Sequence, residues 1–86
     1  MPLTDDQQAE LTILKLSTAD THKFVVGLAS PREPRLRFAL ERLQIRDWIR
    51  LIDVDVVSAH PGKLFRVFML TEPAILWLDQ QNNTQH

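Results

Sequence analysis

Six arginines, at positions 32, 35, 37, 42, 46 and 50, fall between residues 31 and 50 and face only Glu33, Glu41 and Asp47, a local charge of +3. The segment before them sets Lys15 and Lys23 against Asp5, Asp6, Glu10 and Asp20, a charge of −2. The segment after them sets Lys63 and Arg66 against Asp53, Asp55, Glu72 and Asp79, again −2. A planar guanidinium fork suits phosphate or the O6/N7 edge of guanine. A local excess of this kind, rather than the overall charge of −1, is what attracts a polyanion. The competing reading is a solvated helix face, in which Arg37 and Glu41 form an i,i+4 pair contributing about 0.2–0.5 kcal/mol.

Other chemistries find less support. His22, His60 and His86 share no metal-ligand spacing and have no acidic cluster beside them. Asp53 and Asp55 are two apart on a strand-like run, but no base, nucleophile or glycine loop joins them, so they read as a solubilising strand face. There is no phosphate-binding glycine loop and no nucleophile elbow. The expectation is a protein that is not an enzyme and uses no cofactor, metal or small-molecule ligand. With no cysteine, disulfides and thiolate metal sites are excluded. No apolar run approaches the roughly 20 residues of a membrane span, and residues 1–10 are polar without the apolar stretch of a signal peptide. A soluble cytoplasmic protein is expected, with no membrane partner.

Eighty-six residues, 44% of them apolar, suffice for one domain over 1–86 with a modest core. Thr4-Asp5-Asp6-Gln7 has the form of a capping box and predicts a first helix over residues 5–16. Residues 22–29, with Phe24, Val25, Val26 and Leu28, fit either a short buried helix or a strand; we read a short second helix. Pro34 suits the first helical position, and Leu36, Ala39, Leu40 and Leu43 form a buried stripe on a third helix over 34–44. Phe38 is expected to complete the core or pack on the second helix, and Trp48 and Trp77 to serve packing. Strands follow over 48–57 and 63–70, joined by the loop containing His60-Pro61-Gly62. Thr71 caps a last helix with Ala74 to Leu78 as its apolar body, and 79–86 form a polar tail expected to fray. The fold class is α+β, mainly α.

Ala39-Leu40-Glu41-Arg42-Leu43 followed by Asp47-Trp48-Ile49-Arg50-Leu51 resembles the junction of recognition helix and first wing strand in winged helix-turn-helix domains. Phe65-Arg66-Val67-Phe68-Met69-Leu70-Thr71-Glu72 resembles their second wing strand. The likeness is to MarR- and PadR-like bacterial regulators and related phage proteins. Asp47 stands where those proteins carry glycine, and the stretch between residues 29 and 39 is about a turn shorter. The resemblance implies three helices, a two-stranded wing hairpin and a C-terminal helix. It further implies a homodimeric regulator of bacterial or phage origin that binds double-stranded DNA. Arg32, Arg35, Arg37, Phe38 and Arg42 would come from the recognition helix, and His60 and Lys63 from the wing. The first helix and residues 75–78 are the expected dimer surfaces. Two alternatives stand beside this. One is a protein-interaction module of the same fold without direct DNA binding. The other is a small α+β protein of different topology, with residues 11–16 and 24–28 as strands.

Overall fold

Helix α1 (Asp5–Leu14) begins as its cap predicts: Gln7 N–H donates to Thr4 Oγ1 at 3.1 Å, and Thr4 N–H to Gln7 Oε1 at 3.0 Å. In the computed structural model, which describes residues 2–28, 30–56 and 64–84, five further elements follow. They are β1 (Lys23–Gly27), α2 (Pro34–Ile45), β2 (Ile49–Val56), β3 (Leu64–Leu70) and α3 (Glu72–Thr84). The class is α+β, with three helices and one antiparallel sheet in the order β1-β3-β2.

The short second helix expected over 22–29 is instead the strand β1. Its residues alternate, with Phe24 and Val26 buried and Lys23 and Val25 exposed, which is period two and not 3.6. β3 hydrogen-bonds to β2 on one side and to β1 on the other, so β1 satisfies a row of amides that a lone hairpin would leave to solvent. Phe24 and Phe68 are register partners, and their rings stack at 5.4 Å between centroids. The sheet therefore has three strands where a two-stranded wing was expected. Among the described residues α2 alone lies between β1 and β2, and the element before it is a strand rather than a helix.

The secure parts of α2 stand as read, with Ala39, Leu40 and Leu43 buried and Leu36 packed beside them. One core joins Ala9, Ile13 and Leu14 of α1 to these residues, to Phe24, Val26, Ile49, Phe68 and Leu70 of the sheet, and to Ala74 of α3. Trp48 and Trp77 pack against that core and against each other, as expected, with centroids 5.8 Å apart. Thr71 is used differently from the reading: its hydroxyl donates to Asp47 O at 2.7 Å and its N–H to Trp48 O at 2.8 Å. It ties the α2–β2 turn to the start of α3, whose first helical bond runs from Ile75 N–H to Thr71 O. α3 continues past Leu78 to Thr84. No helix among the described residues is long and apolar enough to cross a membrane.

Candidate functional site

The arginines of α2 are placed by its pairing with α1. Asp6 and Glu10 are spaced i,i+4 on α1, and Arg42 and Arg46 are spaced i,i+4 where α2 ends, so the two sets meet as the helices pack. Arg42 Nη2 lies 3.8 Å from Asp6 Oδ1, and its Nε donates to Glu10 Oε2 at 3.4 Å. Arg46 Nη2 donates to the other Glu10 oxygen and its guanidinium lies 4.4 Å from the Trp48 ring centroid. Glu10 is only 4% exposed, a buried carboxylate bridging two guanidinium groups. Arg35 approaches Asp5 at 3.8 Å, both groups being exposed.

Beyond the helix, Arg50 grips Asp47 through two bonds, Nε to Oδ1 at 3.0 Å and Nη2 to Oδ2 at 2.7 Å. The hydrogen bond from Arg50 holds the Asp47 carboxyl below its ordinary range, and Arg50 is raised in return. Asp47 itself has φ 62°, the left-handed conformation for which the resembled pattern uses glycine. Arg37 reaches back from the first turn of α2, donating at 3.4 Å to Pro31 O and 3.5 Å to Arg32 O.

Of the residues expected to contact DNA, Arg32, Arg35 and Arg37 gather at the start of α2, while Arg42 is turned to α1. Phe38 is 55% exposed, so it does not complete the core; it projects from the side of α2 opposite Ala39, Leu40 and Leu43. His60 and Lys63 lie outside the described residues.

The sequence reading missed a set of apolar side chains that reach solvent. Ile45 follows Phe38 at i+7, hence on the same face of α2, and is 84% exposed. On the sheet, Leu51 and Val54 are register partners of Phe68 and Arg66, on the face that carries the core, yet they are 48% and 49% exposed. The helical layer therefore covers β1 and the start of β2, and leaves Leu51, Ile52 and Val54 of β2 open to solvent. Leu28 and Leu64 are exposed beside it. The signal was present: β2 carries four large apolar residues, Ile49, Leu51, Ile52 and Val54, more than the helices among the described residues cover. A register shift between Leu51 and Asp53 accounts for the broken alternation. The helices expected to form a dimer are partly used within the chain: Ile13 and Leu14 are buried, and Ile75, Trp77 and Leu78 pack on the core.

No family model matches this chain, and comparison with curated proteins and with solved structures likewise gives no match.

Proposed function

We propose that this chain is a protein-interaction module built on a shortened winged-helix-type arrangement, docking its partner through Phe38 and Ile45 of α2 and the exposed Leu51 and Val54 of β2. The carrying observation is an inversion of what a DNA-reading helix displays. Arg42 of α2 and Arg46 just after it are turned onto carboxylates of the same molecule, whereas two large apolar side chains of the helix face water. Full burial of such a side chain stabilises an association by roughly 1.5–3 kcal/mol, and large apolar side chains held in water are what a partner would cover. The α2–β2–β3 order and the left-handed Asp47 at the helix-to-strand junction support the winged-helix comparison. The strand β1 in place of a preceding helix marks the departure from it.

DNA binding is the second reading, and one observation favours it. Arg32, Arg35 and Arg37 sit at the start of α2, the part of a recognition helix that meets base edges. The 3.8 Å approach of Arg35 to Asp5 between exposed groups contributes about 0–1 kcal/mol, so a phosphate displaces it easily.

The test uses a photo-crosslinking amino acid at position 38 of the full chain, followed by binding of the captured protein in purified form. Phe38→Glu with Ile45→Glu is expected to abolish that binding, and Arg35→Glu with Arg37→Glu to leave it intact. Absence of any protein adduct, together with duplex binding that the arginine reversals remove, replaces the first reading with the second.

A further inference from the structure

Between α2 and the connection leading to it from β1 lies a cleft of about 270 Å³, where Arg37 and Arg66 meet Glu41, Gln44, Ser30 and Leu28. Arg66 stands on the core side of β3, its register partners being Val26 on β1 and Val54 on β2. Its Nη2 donates to Ser30 O at 2.8 Å and to Gly27 O at 3.4 Å, and its guanidinium lies 5.6 Å from the Phe68 ring centroid. Its Nε is buried and has no acceptor. Arg37 finds only the long contacts to Pro31 O and Arg32 O.

Five ion pairs occur among the described residues, and neither Arg37 nor Arg66 takes part in one. Both side chains therefore brace the same connection through carbonyl oxygens, and neither has a carboxylate within ion-pair distance among the described residues. Arg37 is exposed, so the cost of an unmet donor falls on Arg66, whose buried Nε has no acceptor. Two guanidinium groups and the Glu41 carboxylate leave the lining at +1. That charge suits a monoanion, and Glu41 repels a dianion. Leu28 and Leu40 add an apolar strip to an otherwise polar lining, enough to meet a short aliphatic stem.

We propose that this cleft is a carboxylate-binding site, in which Arg66 and Arg37 hold the anion and the Gln44 amide offers a further donor. It adjoins the exposed part of β2, where Val54 is the register partner of Arg66, but takes no residue from Phe38 and Ile45 of α2. The carboxylate comes either from a free organic acid or from an acidic side chain of a bound polypeptide, with identical recognition of the head group.

Nuclear magnetic resonance of the isotope-labelled full chain tests this, following the Arg66 and Arg37 Nε–H signals. The probes are sodium acetate, N-acetyl-glutamate amide, inorganic phosphate and sodium chloride at matched ionic strength. Both carboxylates are expected to shift the Arg66 signal saturably, with phosphate and chloride at least about tenfold weaker. Tighter binding of the glutamate derivative than of acetate assigns the site to an acidic side chain, and equal binding assigns it to a free acid. Arg66→Lys is expected to weaken acetate about tenfold, because the point charge lacks the fork. Arg37→Gln should weaken it independently if the first variant folds poorly. Phe38→Glu with Ile45→Glu should bind acetate as the unaltered chain does, so this site and the docking face stand or fall separately. Absence of a saturable shift with either carboxylate overturns the proposal, as does an equal response to chloride or tighter binding of phosphate.

Discussion

Two carboxylates of this chain respond to their arginines in different ways. Glu10 is buried and its partners Arg42 and Arg46 are about a third to two-fifths exposed, so the three groups are not equivalent under substitution. Removing both arginines leaves a buried carboxylate uncompensated, whereas Glu10→Gln leaves two guanidinium groups that water can still solvate. Arg42→Met with Arg46→Met is therefore expected to cost about 2–3 kcal/mol, below the ~3–5 of a fully buried pair. Glu10→Gln is expected to cost about 1 kcal/mol. Urea unfolding at neutral pH measures both, and an equal or reversed order contradicts the burial argument. Asp47 is exposed and acts through titration instead. Its folded carboxyl is lowered mainly by the hydrogen bond from Arg50, so its contribution is present above the ordinary carboxylate range and fades as pH falls through the lowered value. Arg50→Gln is expected to return the Asp47 titration to the ordinary range, read by carbon-detected resonance; an unmoved titration refutes the assignment. The Thr4–Gln7 cap was legible because it depends on residues within a turn of one another, whereas Asp47 stood out only against the glycine of the resembled pattern. The Glu10 bridge was not legible, since nothing local relates residue 10 to residues 42 and 46.

At the scale of elements, the same distinction separates what was readable from what was not. α2 was recovered nearly to the residue because Pro34, the 36/39/40/43 stripe and Asp47 punctuate it locally. β1 was not, because the five residues Lys23–Gly27 satisfy helix and strand patterns alike until a neighbour is supplied. That neighbour is β3, whose free edge accepts Lys23 opposite Met69 and Gly27 opposite Phe65. Gly27 is the end of this strand. A Cβ there would meet Ser30 Oγ at 3.5 Å and Ser30 Cβ at 3.8 Å, ordinary contact distances, and φ is not in the left-handed region. Gly27→Ala is therefore expected to stabilise the fold by about 0.4–1 kcal/mol, chiefly by restricting the unfolded chain. A thermal melt checks it, and a loss of stability would mean the strand end needs glycine's freedom.

For the whole molecule, folding changes the electrostatic argument that the sequence invites. The stretch from residue 31 to 50 carries +3 in isolation, but α1 lays Asp5, Asp6 and Glu10 against Arg35, Arg42 and Arg46. Acidic flank and basic centre neutralise one another across the α1–α2 interface, and the basic field along α2 shrinks to its first turn. This gives a direct way to ask whether the fold suppresses affinity for nucleic acid. Asp6→Asn with Glu10→Gln removes two of the three carboxylates and leaves Arg42 and Arg46 free to meet phosphate. At 50 mM salt the doubly substituted chain is expected to bind a generic duplex about tenfold more tightly than the unaltered chain, by fluorescence anisotropy. Its logarithmic salt dependence should steepen by about 1–2, the share of two added phosphate contacts. An unaltered chain that already binds duplex with a slope near −3.6, the value for about four neutralised phosphates, would show that the internal carboxylates yield readily to the nucleic acid. In that event the arginines of α2, and not its apolar face, carry the function.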